Sequence, residues 1–158
     1  MKPGRSPVTL SEEVAAKVEE RMMHTLKGIE ETLREILEGG EVDFEEVRSI
    51  LKALKPSFSL LSQRWVPEIL YSLLLRGPLG FNELKRLLGA SSRSLSLKLK
   101  ALVELGYLER EVERGPPLRT TYRLTKTGKD AALLSLPLLY YMAKHSALNP
   151  RKGDYEET

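Results

Sequence analysis

The sequence contains no cysteine among its 158 residues and only two histidines, His24 and His145. Without thiols it forms no disulfide, offers no thiolate ligand and has no thiol redox sensor, and two histidines this far apart do not make a metal site. Both histidines read as surface side chains, and no cofactor is expected. Long apolar runs are also missing. No charge-free stretch of about 18 residues is present to cross a bilayer, and the opening MKPGRSPVTLSEE lacks the apolar core of an export signal. The expectation is a cytoplasmic protein with no membrane partner. Catalytic signatures are absent as well. There is no nucleophile with a base beside it and no glycine-rich phosphate loop, and the acidic pairs Glu12-Glu13 and Glu45-Glu46 fall in helix first turns, where the helix dipole accounts for them. The chain does not read as an enzyme.

What is present is a chain that is 41% apolar and 30% charged, enough for one ordinary domain with an appendage. Its net charge of +3 is unevenly spread. Residues 1–56 hold 9 Lys/Arg and 12 Asp/Glu, a net −3, whereas residues 57–158 hold 16 and 10, a net +6. A basic segment joined to a mildly acidic one points to a polyanionic partner for the basic segment alone.

The acidic part reads as helical. Thr9 with Glu12 makes a capping box, and Val14, Val18, Met22, Leu26, Ile29, Leu33 and Ile36 recur every three or four residues until Gly39-Gly40. That is one amphipathic helix of about 40 Å. Asp43 with Glu46 opens a second, short helix through Val47, Ile50, Leu51 and Leu54, predicted to end before Pro56. The near-heptad spacing of the long helix suits a two-stranded seam with a second copy, or packing on the chain's own domain, and spacing leaves both open.

The basic part follows a compact order. A helix from Trp65 through Ile69, Leu70, Leu73 and Leu74 stops at RGPLG, read as a turn. A short helix, FNELKRLLG, is released at Gly89, and Ser91 or Ser92 caps the next, Ser91 to Gly106. Segments Tyr107–Val112 and Thr120–Leu124 read as a hairpin whose loop, ERGPPLR, has a basic tip. Thr125 caps a last helix through Leu133, Leu134, Leu136, Leu138, Leu139 and Met142, in which Pro137 predicts a kink. The remainder reads as a frayed tail.

Helix, short helix, turn, helix, hairpin, helix is the order of a winged helix-turn-helix: a mainly α fold with a small β-hairpin wing, here with an added N-terminal helical extension. In SSRSLSLKLKALVELG, Leu95, Leu99, Leu102 and Val103 form one helical face. Ser92, Arg93, Ser94, Ser96 and Lys98 precede or interrupt it. Arg93, Leu97, Lys100 and Glu104 share the opposite side. This side combines an arginine able to bond guanine bidentately, short hydroxyls, a lysine for phosphate and a leucine for a thymine methyl. A basic helix face is often merely solvated, and Leu97 fits a core or dimer contact as well. The wing adds Arg114 and Arg119 around GPPL, a second basic element suited to clamping the nucleic-acid backbone. Trp65 and the Tyr140-Tyr141-Met142 group read as packing residues.

From Gln63 to Gly128, QRWVPEILYSLLLRGPLGFNELKRLLGASSRSLSLKLKALVELGYLEREVERGPPLRTTYRLTKTG resembles the HxlR-type branch of the winged-helix transcriptional regulators, relatives of MarR. The carriers are the Arg-Trp helix start, GPLGFNEL, the serine-opened helix, GYLER, the PP wing and YRLTKTG. The resemblance implies a homodimer on double-stranded DNA, with Ser92, Arg93, Ser94, Leu97 and Lys100 in the major groove and Arg114 and Arg119 at the wing. It places Asn82 and Lys85 near the DNA backbone. Many members carry a sensing cysteine ahead of the first winged-domain helix, which this sequence lacks, and residues 1–56 exceed the usual N-terminal arm. The division read from the sequence is an extension over 1–56, a winged domain with its last helix over 57–144, and a tail over 145–158. The long first helix and the last helix are expected to form the dimer interface, with any small-molecule effector between them and the winged domain. The competing reading is a winged-helix protein-interaction module that reads no DNA.

Overall fold

The structure, a computed structural model, describes residues 12–145. The expected Thr9 cap and all but the first residue of the tail lie outside that range. Two compact units divide between Ala53 and Leu54.

In the first, α1 (Glu12–Leu37) ends where the Gly40 N–H bonds the Leu37 carbonyl at 3.1 Å and Gly40 takes φ 134°, a conformation costly for any residue with a Cβ. The predicted capping box at the start of α2 (Phe44–Leu61) is present. The Glu46 N–H donates to Asp43 Oδ1 at 2.9 Å and the Asp43 N–H to Glu46 Oε2 at 3.2 Å. The helix does not end before Pro56, as predicted; it continues to Leu61. Proline deletes one N–H and disturbs one turn, a cost of about 3 kcal/mol that the turns on either side outlast here. No residue of α2 is buried.

All buried hydrophobic side chains among the described residues fall between Val66 and Ala132, in the second unit. Helix α3 (Val66–Arg76) contributes Val66, Ile69, Leu70 and Leu73, spaced i, i+3, i+4, i+7. The last three belong to the stripe marked in the sequence; Val66 is not part of that stripe, and Leu74, which is, is half-buried. Trp65 is not its first turn, as expected, but its N-cap, at φ 73°, with the Arg64 guanidinium 4.7 Å from its ring centre. The helix instead starts on Val66-Pro67, since proline needs no N–H bond in a first turn. Trp65 still packs, half-buried, on the core.

The segment read as a turn after α3 holds a third strand. Strand β1 (Leu79–Gly80) pairs Leu79 with Tyr122 and Gly80 with Thr121 of β3 (Arg119–Leu124), and β2 (Leu108–Glu113) pairs β3 from Leu108↔Leu124 to Glu113↔Arg119. The sheet is antiparallel, in the order β1-β3-β2. Between β1 and β2 lie α4 (Phe81–Leu88) and α5 (Ser92–Glu104). The Gly80 N–H donates to Glu83 Oε2 at 2.7 Å at the head of α4, and Gly89, at φ 65°, closes its end. Leu84 of α4 and Leu95, Leu99 and Leu102 of α5 have no accessible surface. Helix α6 (Lys126–His145) starts under Thr125, whose Oγ1 accepts the Gly128 N–H at 3.0 Å and donates to the Gly106 carbonyl at 2.6 Å. The helix runs on through Pro137.

Candidate nucleic-acid interface

Ser91, rather than Ser92, caps α5: its Oγ accepts the Ser94 N–H at 3.2 Å. The first turn, with its positive dipole end, is at the surface, with Ser91, Ser92 and Arg93 exposed. Because Leu95, Leu99 and Leu102 are wholly buried, the opposite face of α5 is open. Ser92, Arg93, Ser96, Leu97 and Lys100 are exposed there, and Ser94 is half-buried. Leu97 is 59% exposed, which removes the core role that the sequence left open for it. Lys98 turns the other way, half-buried, with its Nζ donating to Gln63 Oε1 at 2.8 Å ahead of α3.

Asn82 and Lys85 lie exposed on α4 and border an open hollow of about 500 Å³ shared with Arg86, Gly89 and Ala90. Arg86 is an addition to the sequence reading. Its signal is the i, i+3, i+4 relation to Asn82 and Lys85 on a helix whose inner side is Leu84.

The wing has two unlike faces. Side chains alternate along paired strands, so Glu109, Glu111 and Glu113 share a face with Arg123, Thr121 and Arg119. Arg123 Nε meets Glu109 Oε2 at 2.8 Å and its Nη1 lies 3.7 Å from Glu111 Oε2. The hydrogen bond that Arg123 donates to Glu109, with the charges of both carboxylates, raises the guanidinium pKa further above its usual value, so this arginine stays charged and engaged. Arg119 sits in register with Glu113 on that acidic face; Arg114 stands in the loop. Both are exposed and in no ion pair among the described residues. The opposite face continues from buried Leu108 and Tyr122 to exposed Arg110 and Val112, and Leu118 at the tip is 74% exposed. Sequence reasoning passed over Arg110 and Leu118. Their signals are the strand period counted from Leu108 and a bare apolar residue between two arginines.

A core built from α3, α4 and α5, closed by a sheet of one short strand and a hairpin, defines a winged helix-turn-helix protein. The chain belongs to the HxlR-like helix-turn-helix family, which it matches over residues 60–148. It is 38% identical over 85 residues to the uncharacterized HTH-type transcriptional regulator MT3179 of Mycobacterium tuberculosis (strain CDC 1551 / Oshkosh), covering 54% of this chain and 51% of that one. It is 40% identical over 74 residues to the uncharacterized HTH-type transcriptional regulator YvaP of Bacillus subtilis (strain 168), covering 46% and 68%. The chain thus spans about half the length of its mycobacterial relative. The structure of diamide-treated YodB from B. subtilis superposes with a TM-score of 0.52 at 26% identity, over 62% of this chain and 95% of that one. The redox regulator HypR in its oxidized form shares the fold, with a TM-score of 0.53 at 23% identity over 60% and 97%. The curated relatives are transcriptional regulators by name, and the family is one of helix-turn-helix proteins. No described helix is long and apolar enough to cross a membrane.

Proposed function

We propose that the chain is a sequence-specific double-stranded DNA-binding transcriptional regulator acting as a homodimer. Helix α5 enters the major groove, and the wing from Glu113 to Arg119 lies on the flanking backbone or minor groove. The observation that carries this reading is the two-sidedness of α5. Its apolar face is wholly buried, while Arg93, Leu97 and Lys100 stand exposed on the other, under a serine-capped N-terminus. An arginine at that position reaches base edges, and a cap this small lets the backbone approach phosphate. Asn82, Lys85 and Arg86 add donors to phosphate from the neighbouring helix. Exposed apolar residues on α1 and on α6, where Leu134 is 78% and Leu138 56% exposed, supply faces for a second copy. The sequence has no cysteine, so any signal it receives acts without thiol chemistry.

Duplex titrations over a salt series test the reading. Binding should weaken steeply as salt rises, with a slope set by the number of phosphates neutralised. Arg93→Ala should cost about 1–3 kcal/mol on a selected operator and relax preference at one base pair. Arg114→Ala or Arg119→Ala should weaken specific and non-specific duplexes alike. An unchanged ratio of specific to non-specific binding in Arg93→Ala removes α5 from the major groove. Salt-independent binding favours the protein-interaction alternative.

A further inference from the structure

The N-terminal helices, apart from the last two residues of α2, lie ahead of the region matched to the family, which begins at residue 60, and carry more bare apolar surface than any role assigned so far uses. On α2, Phe44, Val47, Leu51, Leu54, Phe58 and Leu61 recur at intervals of three, four, three, four and three residues. All six are at least 42% exposed, and Ile50 widens the stripe on one flank. Its last two members exist as helical positions only because α2 passes through Pro56. On α1, Leu26, Ile29, Leu33 and Ile36 form a similar stripe, widened by Met23 and Leu37, all at least 48% exposed.

Two properties select the occupant. The first is width. A two-stranded coiled coil uses a narrow seam, whereas a bundle helix shows that seam plus one flank, because it meets two neighbours. Met23, Leu37 and Ile50 would stay in water in any two-stranded pairing. The second is charge. Helix α1 holds seven acidic and four basic residues. Helix α2 has Glu45 and Glu46 only in its first turn, with Arg48 3.3 Å from Glu45, and beyond them only Lys52 and Lys55, which enter no ion pair among the described residues. Three of the α1 acids, Glu13, Glu30 and Glu31, already lie within 3.6 to 3.9 Å of Lys17, Arg34 and Lys27 of the same helix. The contrast is therefore one of net charge, −3 on α1 (4 basic less 7 acidic) against +1 on α2 (3 less 2), opposite signs that a two-fold axis brings together. The thirteen bare side chains amount to on the order of 1,000 Å² per chain, the scale of an obligate homodimer and above what monomers usually expose.

We infer that residues 12–61 are an assembly module in which α1 of one copy packs on α2 of a second, giving a four-helix bundle from two chains. The inference rests on the homodimer in the reading above and assigns α2, which that reading leaves unused, its partner.

Sedimentation of the full chain, with circular dichroism and binding to a single half-site duplex as folding controls, tests it. Leu51→Glu with Leu54→Glu should weaken the dimer at least tenfold and leave half-site binding intact. Lys52→Glu with Lys55→Glu should weaken it several-fold. So should Glu30→Lys with Glu31→Lys, and mixing these two charge-reversed proteins should restore a heterodimer. Restoration on mixing, with each variant weak alone, supports α1 against the partner's α2. A wild-type monomer at micromolar concentration overturns the inference, as does a dimer indifferent to Leu51→Glu with Leu54→Glu. The duplex arm reports separately on DNA binding: a dimer lost on substitution supports the bundle even where no duplex binds.

Discussion

Lys98 and Lys100 stand two residues apart on α5 and end in different surroundings. Lys98 is held by Gln63 at 2.8 Å, whereas Lys100 lies exposed on the side of Arg93 and Leu97. Lys100→Ala should therefore reduce the salt slope of DNA binding by about one counterion, and Lys98→Ala should leave it unchanged. Equal slopes for the two variants would contradict the placement. Gly128 presents a different constraint. A Cβ there would collide with the Tyr107 carbonyl, which also accepts the Thr125 N–H at 3.1 Å. Gly128→Ala should cost about 1–3 kcal/mol in urea unfolding, through overpacking where β2 meets α6. None of the residues proposed to face DNA is altered by that change.

At the level of elements, α5 has two tasks that share one set of turns. Its inner face closes the core with three side chains of no accessible surface, and that closure fixes the rotation of the outer face. Leu99→Ala should destabilise the fold by about 2–5 kcal/mol, read by thermal or urea unfolding, and loosen Arg93 and Lys100 with it. Ser91→Ala should cost about 1 kcal/mol, because the Ser94 N–H loses its partner. The wing divides its labour between faces. Glu109 and Glu111 occupy Arg123, and Glu113 sits across from Arg119, so within the wing Arg114 in the loop and Arg110 on the opposite face carry positive charge that no strand pairing sets against a carboxylate.

For the molecule as a whole, the proposed two-fold arrangement constrains the DNA. Two copies of α5 reach successive major grooves on one side of a duplex only if half-site centres lie about 10–10.5 base pairs apart, or a small multiple of that, and the operator is near-palindromic. The wings then fall outside each half-site. An A·T-rich flank should tighten binding, since its narrow minor groove concentrates negative potential for Arg114 and Arg119. Footprinting on a selected operator checks this. Protection of a single half-site, or of two on opposite faces of the duplex, would rule out that arrangement.

By itself the sequence determined the order of helices and hairpin, the buried faces of α3 and α5, and the capping residues Asp43 and Thr125. Each of these follows from local periodicity or from a side chain bonding a backbone group three residues away. Three features were settled only by tertiary structure, and a fourth, the length of α2, by its own later turns. Strand β1 is two residues long and exists through its pairing with β3, about forty residues on, so no local pattern announces it. Continuation of α2 through Pro56 depends on the turns beyond the proline, and Trp65 takes its left-handed backbone at a junction between helices. The separation of Lys98 from Lys100 depends on Gln63, thirty-five residues earlier. For β1, Trp65 and the two lysines the deciding energy comes from a neighbour distant in sequence or from a tertiary context that overrides a local preference, whereas α2, none of whose residues is buried, continues on the strength of its own turns.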